Sequence, residues 1–119
     1  MKIIKRSNSD ISIEEAHGGS GTRKVYASGD QLESANFDIM THGFLPAGNK
    51  YALHNHIDIE EIMAVLKGEG KVIDEDGEYT YASGDVFIFP ANINHEIFND
   101  SSEEHEMIFV RVKLKPSEK

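Results

Sequence analysis

The chain is predicted to fold as an all-β domain, an antiparallel sandwich or barrel, because three features of its sequence agree. Short runs rich in Val, Ile, Phe, Tyr and Thr alternate with clusters of Gly, Asn, Asp and Pro, which is the pattern of strands joined by turns. No segment sustains a helical period, apart from one turn around residues 31–35. Asp76-Gly77 is a hairpin signal. The predicted strands are residues 24–26, 36–44, 50–56, 62–66, 70–74, 79–81, 86–89, 95–99 and 106–114.

Most of these runs alternate between an inner and an outer face. In the last run, Met107, Phe109 and Arg111 share one face because successive side chains of a strand point in opposite directions. The runs at 61–66 and 86–89 are instead apolar on both faces. One face of such a strand lines the interior, and the other is covered by a second sheet or a second chain. Both coverings stay open, and a homodimer is the natural expectation.

Length and charge limit the functions open to the chain. Its 119 residues are expected to form one domain, 1–119, with one hydrophobic core. The 12 Lys and Arg against 21 Asp and Glu give a formal charge of −9, which disfavours binding to nucleic acid or to anionic membranes. No apolar segment has the length of a signal peptide or a membrane span, so a soluble, cytoplasmic protein is expected. Cysteine is absent, so nitrogen and oxygen atoms must bind any metal.

A pair of histidines and a pair of glutamates stand out in the middle of the chain. His54 and His56 present two imidazoles on one face of a strand, where they could chelate a metal ion. Taken alone, such a pair more often consists of surface or hydrogen-bonded histidines. Glu60 and Glu61 follow, and an antiparallel return of the chain would bring one of them back toward the histidines. The period of two does not decide which, because the next run is apolar on both faces.

The spacing of these residues resembles the two conserved motifs of the cupin family. The first motif is Gly, five residues, His-x-His, three or four residues, Glu, six residues and Gly, and it is matched over 48–68 by Gly48, His54, His56, Glu61 and Gly68. The second is Gly, five residues, Pro-x-Gly, two residues, His, three residues and Asn, and it is matched over 84–99 by Gly84, Pro90, His95 and Asn99.

One position departs from the family pattern, since Asn92 stands where the second motif has glycine. Asparagine tolerates a left-handed backbone better than any other residue except glycine, so the turn can be kept. The short stretch between the motifs resembles that of small bacterial single-domain cupins. The resemblance implies a single-domain double-stranded β-helix, the jelly-roll barrel of the cupins.

The resemblance also implies a metal centre inside the barrel, and it selects Glu61 rather than Glu60 as the carboxylate. The implied ligands are His54, His56, Glu61 and His95. Three imidazoles and one carboxylate suit one divalent transition metal, such as Mn, Fe, Co, Ni, Cu or Zn. An octahedral ion would keep two positions for substrate, water or dioxygen. The alternative is a closed structural site, or a site that has lost its metal.

Several further residues carry weaker signals. His42 is a candidate catalytic residue that could line the cavity and transfer protons, although a hydrogen bond to the backbone is the commoner role of such a histidine. The glycine-rich segment 17–21 does not fit a nucleotide-binding loop, and its role stays open. His105 is predicted to be a solvated surface residue. Five aromatic residues are predicted to be core or interface rather than substrate-stacking groups: Tyr51, Tyr79, Tyr81, Phe87 and Phe89.

Two functions of different classes fit these features. The first is a metal-dependent enzyme acting on a small polar molecule, such as a sugar, a hydroxy acid or a keto acid. Isomerase, lyase and dioxygenase chemistry all stay open, because a fold does not choose among them. The second is a non-catalytic module that binds a sugar or another small molecule. The four retained ligands favour the enzyme, and the expected partner is a small molecule rather than nucleic acid or a membrane.

Overall fold

The structure of the protein is a computed structural model. It describes residues 2–16, 20–54 and 57–116, and at residues 53 and 54 it describes the backbone alone. The strands of these ranges are β1 Ile13–Glu15, β2 Thr22–Ser28, β3 Phe37–Leu45, β4 Lys50–His54, β5 Ile59–Lys67, β6 Gly70–Asp74, β7 Glu78–Tyr81, β8 Val86–Phe89, β9 His95–Phe98 and β10 His105–Lys113. Short 3₁₀ turns lie at Asn8–Asp10 and Gly29–Gln31. No helix in the described part of the chain is long and apolar enough to cross a membrane.

The strands form two antiparallel sheets that pack face to face. The larger sheet has six strands in the order β1-β2-β3-β10-β5-β8, and the smaller has four in the order β4-β9-β6-β7. Neighbours in these sheets are mostly distant in sequence, as in a jelly roll, where the chain crosses repeatedly between the sheets. The predicted all-β jelly-roll barrel is confirmed.

The hydrophobic core lies between the two sheets. Its fully buried side chains include Leu45, Met63, Val72, Ile97 and Met107, which come from both sheets. Each lies on a strand whose alternate residues point away from the core, as the period of two requires. Apolar side chains therefore fill the space between the sheets, and buried polar side chains lie toward both ends of it, Glu61 and His95 at one and Asn99 and His105 at the other.

The outer face of the larger sheet explains why two runs are apolar on both faces. Ile62 on β5 pairs with Ile88 on β8, and the two are 41% and 70% exposed. Leu66 and Val86, on the same outer face, are 48% and 61% exposed. Among the described residues, no second sheet covers this surface, because the smaller sheet packs on the opposite side. The intramolecular covering is therefore not the explanation for these apolar positions.

Most predicted strands are confirmed, with ends that differ by up to three residues, and one strand was not predicted. Strand β1 is three exposed residues long, and two of them are glutamates, so neither propensity nor burial marks it in the sequence. It pairs with β2 at the edge of the larger sheet. Glu14 accepts a hydrogen bond from Arg23 Nε at 2.9 Å, so a cross-strand ion pair holds the edge.

The prediction for His105 is wrong, because this residue is 1% exposed rather than solvated. Its Nδ1 lies 2.6 Å from the Tyr81 hydroxyl, and its Nε2 lies 2.9 Å from Ser101 Oγ. The amide of Asn99 donates to the carbonyls of Leu45 and Glu103, and so holds the loop that leads to β10. We call Tyr81, Asn99, Ser101 and His105 the His105 cluster.

The second glycine of the first motif makes room for this cluster. Gly68 has φ of +112°, and a Cβ at this position would lie 2.0 Å from Cδ2 of the His105 ring. No side chain fits there unless the ring moves. The His105 cluster therefore closes the barrel at the end of β5, whose last residue, Lys67, is six residues, or about 20 Å, from Glu61.

Candidate metal centre

Glu61 and His95, two of the four predicted ligands, face each other inside the open end of the barrel. Glu61 lies on β5 of the larger sheet and is 3% exposed, and His95 lies on β9 of the smaller sheet and is 2% exposed. Glu61 Oε1 and His95 Nε2 are 3.9 Å apart, which is too far for a hydrogen bond. Metal–ligand bonds from nitrogen and carboxylate oxygen are each about 2.0–2.2 Å long, so one ion could contact both atoms. This separation suits a metal centre.

Two contacts orient the imidazole of His95, one with the backbone of Ile93 and one with the ring of Phe89. Its Nδ1 lies 3.1 Å from the carbonyl oxygen of Ile93, which can only accept, so Nδ1 carries the proton. In the neutral ring Nε2 then carries the lone pair that a metal needs. The ring also stacks on Phe89, with centroids 4.2 Å apart and an interplanar angle of 12°. A backbone acceptor at the second nitrogen is the usual support of a metal-binding histidine.

The carboxylate of Glu61 is held by Arg111. The two residues are directly opposite each other on β5 and β10, and Arg111 Nε donates to Glu61 Oε2 at 3.0 Å. A buried carboxylate needs a compensating charge, and Arg111 supplies it from an inward position. The other oxygen, Oε1, is the one that faces His95. The sequence carries a signal for this ion pair. Arg111 lies on the same face of its strand as the buried Met107 and Phe109, and a charge on an apolar face requires a counter-charge.

The choice between the two glutamates, which the period of two left open, follows from the burial of β5. Glu61 shares the buried face with Met63 and Val65, whereas Glu60 is exposed on the other face. Tyr51 also lies near Glu61. Burial first, and the Glu61 carboxylate second, raise the pKa of the Tyr51 hydroxyl far above its ordinary value. Tyr51 therefore keeps its proton at neutral pH and cannot act as a base.

The remaining two predicted ligands lie outside what the structure describes in atomic detail. The backbone of His54 belongs to β4, where it pairs with His95 on β9. The side chain of His54 and the whole of His56 are outside the described residues. Within the described ranges, no group of three or more His, Asp or Glu side chains is placed to hold a metal ion. The four-ligand set stays a prediction.

Asn92, the departure from the family motif, has the left-handed backbone that its position requires. Its φ is +66°. Its side-chain oxygen accepts the backbone N–H of Asp58 at 3.0 Å, and Asp58 is left-handed as well, with φ of +56°. Glycine could not make this bond. Asn92 therefore connects the loop before β9, which carries His95, to the turn before β5, which carries Glu61.

His42, the candidate catalytic residue, lies on the other face of its strand. The inward residues of β3 are Thr41, Gly43 and Leu45, which are buried, and His42 alternates with them. Its Nδ1 is 2.6 Å from the Tyr26 hydroxyl and its Nε2 is 2.8 Å from Glu106 Oε1. The expectation that His42 lines the cavity is therefore not met, because strand alternation turns the side chain toward the outer surface.

Two spaces adjoin the pair formed by Glu61 and His95. A cleft of about 310 Å³ lies beside His95, where the edge of β8 faces β6 and β7. A void of about 10 Å³ lies beside Glu61 and is lined by Arg23 and Arg111, among others. A larger open cleft of about 520 Å³ lies at the other end of the barrel, over Gly68 and Ser101, where no predicted ligand is found. The prediction of core aromatic residues holds for Tyr51, Tyr81 and Phe89, which are buried in the core, and for Phe87, which packs against it, whereas Tyr79 is 47% exposed.

Comparison with known proteins gives one family and many related folds. Residues 41–111 match the family model of the cupin domain, Cupin_2. An uncharacterized protein of Methanocaldococcus jannaschii is 30% identical over 99 residues, which are 83% of this chain and 78% of that protein.

Solved structures of the same fold come from several bacteria. A predicted oxalate decarboxylase from Thermotoga maritima superposes with a TM-score of 0.81 at 23% identity, covering 93% of this chain and all of that one. KdgF from a Halomonas species has a TM-score of 0.75 at 16% identity, with 92% of each chain covered. A sugar phosphate isomerase of the cupin superfamily from Silicibacter pomeroyi has a TM-score of 0.72 at 21% identity, covering 92% of this chain and 76% of that one. At these identities the likeness establishes the fold.

Proposed function

Since the chain belongs to the cupin family Cupin_2, we propose that its barrel holds one divalent transition metal on His54, His56, Glu61 and His95 and acts on a small polar organic molecule. The observation that carries the proposal is the buried pair formed by Glu61 and His95, whose facing atoms are 3.9 Å apart. A carboxylate and an imidazole are donors for Mn, Fe, Co, Ni, Cu and Zn.

The substrate class in this proposal is a sugar, a hydroxy acid or a keto acid. When bound, the metal would supply Lewis acidity toward substrate oxygens, or dioxygen activation if it is iron. The chain itself contributes orientation. The Ile93 carbonyl fixes the His95 ring, Arg111 holds one oxygen of Glu61, and burial excludes water from both. Similar folds occur in a predicted oxalate decarboxylase and a sugar phosphate isomerase, which is compatible with isomerase or lyase chemistry.

A non-catalytic binding module is the second candidate, and one observation favours it. His42, the candidate proton-transfer group, faces away from the cavity, and Tyr51 keeps its proton. Neither of these two side chains can therefore serve as a general base beside Glu61 and His95, which are themselves proposed as metal ligands. In this case the metal, or the barrel alone, would bind a small molecule without converting it.

The experiment that tests the proposal is elemental analysis of protein purified without a histidine tag or added metal. We expect about one transition-metal ion per chain, and we expect Glu61→Gln and His95→Ala to lose it while keeping the β-sheet signal in circular dichroism. Glu60→Gln is the matched control, because Glu60 is the exposed neighbour on the other face. A protein that takes up no stoichiometric metal even after reconstitution, or a Glu60→Gln variant that loses it, would overturn the site.

A homodimer is part of the same proposal. The outer face of the larger sheet exposes Ile62, Leu66, Val86 and Ile88 side by side on two neighbouring strands. An apolar face of this kind is rare on a soluble monomer, and a second copy of the chain would cover it by a two-fold contact. We expect Ile88→Glu to halve the mass measured by sedimentation equilibrium. Ile13→Glu, at a 60% exposed position on β1, should leave the mass unchanged.

A further inference from the structure

The cleft beside His95 has the size and the walls of a small-molecule site. Its volume is about 310 Å³, within the range of ligand-binding clefts. Its lining includes Val72, Tyr79, Phe87, Ile93 and His95. Ladder pairs place the cleft at the open end of the barrel, because Phe89 of β8 is opposite Glu61 and Asp74 of β6 is opposite His95.

The walls of this cleft suit an apolar group better than a sugar. A sugar ring carries hydroxyls over its whole edge, and each one that leaves water needs a hydrogen-bond partner. Seven of the nine lining residues are aliphatic, aromatic or proline, and the other two are Asp74 and His95. The one carboxylate of the lining, Asp74, accepts the backbone N–H groups of Asp76 and Gly77 at 2.8 and 3.0 Å with its Oδ1, so it shapes the hairpin. Its charge also repels a second carboxylate from the cleft.

Two guanidinium groups lie on the other side of the pair formed by Glu61 and His95, and each already donates with its Nε to a carboxylate, Arg23 to Glu14 and Arg111 to Glu61. Two of the three arginines of this acidic chain, Arg23 and Arg111, line the void of about 10 Å³ next to Glu61. That volume admits about one water-sized group, such as a carboxylate oxygen. The guanidinium fork is the side-chain group best suited to carboxylates, and it can bind one with Nε and another with its outer nitrogens.

From these two observations we infer that the ligand is a small carboxylic acid with an aromatic or branched aliphatic substituent. Its acid end lies toward the arginines and the metal, and its apolar end lies in the cleft between Tyr79 and Phe87. The inference deepens the proposed function, on which it rests for the metal beside the acid group. The cleft and the arginines belong to the protein itself, so their part can be tested with and without metal.

The test uses four probes that share one core and differ in a single feature. Mandelate, lactate and gluconate are α-hydroxy acids with a phenyl, a methyl and a polyhydroxylated substituent, and mandelamide keeps the phenyl group but has no charge. Each is titrated calorimetrically into the metal-loaded and the metal-free protein, with metal content measured on the same samples. We expect mandelate to bind at least about tenfold more tightly than lactate, gluconate or mandelamide, because only mandelate fits both ends.

Two variants and one control connect the preference to the cleft. Tyr79→Ala and Phe87→Ala remove one aromatic wall each and should lower the ratio of mandelate to lactate affinity by about fivefold or more, with lactate little changed. Thr80→Ala is the control, because Thr80 is the exposed neighbour of Tyr79 on the other face of β7. Tyr79 is 47% exposed, so its variant should fold even if Phe87→Ala does not.

Each result decides between the two proposals. Three results would overturn the inference: gluconate that binds as tightly as mandelate, mandelamide that binds as tightly as mandelate, or an unchanged ratio of mandelate to lactate affinity in a folded Tyr79→Ala variant. If the same samples hold one metal ion per chain, the proposed function still stands. A preference for mandelate over lactate that persists in the metal-free sample would support the inference, whereas a failure of the protein to hold stoichiometric metal after reconstitution would overturn the metal centre alone. Absence of mandelate binding to either form overturns the inference.

Discussion

His95 and His105 are both almost fully buried, at opposite ends of one barrel, and their surroundings differ in kind. Both ring nitrogens of His105 lie within hydrogen-bond distance of neutral hydroxyls, those of Tyr81 and Ser101. In His95, Nδ1 is bonded to a backbone carbonyl and Nε2 faces a carboxylate that is too distant for a hydrogen bond. One histidine completes a neutral network, and the other shares a charged space with Glu61 and Arg111.

The difference shows that burial alone does not distinguish a histidine in a closed hydrogen-bond network from one that faces a carboxylate across a gap. A structural histidine is surrounded by groups that satisfy it at normal hydrogen-bond distances, and the backbone nearby is shaped to its ring, as Gly68 is to His105. At the open end, Ile93 and Arg111 hold His95 and Glu61 in place, and the two side chains face each other across a gap of 3.9 Å. The closed end is therefore expected to affect stability alone, and the open end to affect metal or ligand binding as well as stability.

The largest effect is expected for Gly68→Ala, at the closed end. The new Cβ would lie 2.0 Å from His105 Cδ2, and φ of +112° is strained for any residue with a side chain. We expect a loss of at least about 3 kcal/mol in the free energy of unfolding, measured by urea denaturation. Gly48→Ala is the control, since φ is +73° but nothing lies within 4 Å, and it should cost about 1 kcal/mol. Equal losses in both variants would contradict the packing argument.

Arg111→Gln should have the next largest effect, at the open end. The change leaves the Glu61 carboxylate buried without the cation that now contacts it, and breaking a buried ion pair costs about 3 kcal/mol. Thermal unfolding of the metal-free protein measures this loss. Arg23→Gln is the matched control, because the Arg23–Glu14 pair is exposed and should contribute at most about 1 kcal/mol. A loss no greater than that of the control would show that Arg111 does not compensate Glu61.

His105→Gln and His95→Gln should separate the two ends directly. We expect His105→Gln to lower the free energy of unfolding by about 2 kcal/mol, since it disturbs two buried hydrogen bonds, and to leave the metal content unchanged. His95→Gln should lower the metal content measured by elemental analysis. A His105→Gln variant that loses metal at full stability would reverse the assignment of the two histidines.

The smallest effect concerns pH. Burial lowers the pKa of His105 below the ordinary histidine value, although Asp100 and Glu103 oppose this shift. The unfolded chain therefore takes up a proton near pH 6.5 that the folded protein resists, so stability falls as the pH drops below about 6.5. In the metal-free protein, this dependence should be weaker in His105→Gln than in the wild type, as measured by thermal unfolding between pH 5 and pH 7.5. An identical slope in both would exclude His105 as its source.

The sequence by itself determined the strands, the fold and the family. The alternation of apolar and polar residues and the turn signals between the runs are local features of the sequence. They are sufficient to recognise most of the strands. The exceptions have a physical reason. Strand β1 is exposed and acidic, so only its pairing with β2 and the bond from Arg23 to Glu14 make it a strand. The motif spacing identified the family, and Asn92 has the left-handed backbone expected of it.

Apart from the family motif, which implied Glu61 rather than Glu60, only the tertiary structure decided which face of each strand is inside. The period of two gives two faces without saying which is buried, so Glu60 and Glu61 were equivalent by parity, and His42 could be placed in the cavity. The choice depends on the partner strands. Arg111 of β10 lies opposite Glu61 and compensates its charge, while Tyr26 and Glu106 bond His42 on the outer surface. The charged neighbours of His105 in the sequence predict a surface residue, and only the fold encloses it between Tyr81, Ser101 and Gly68.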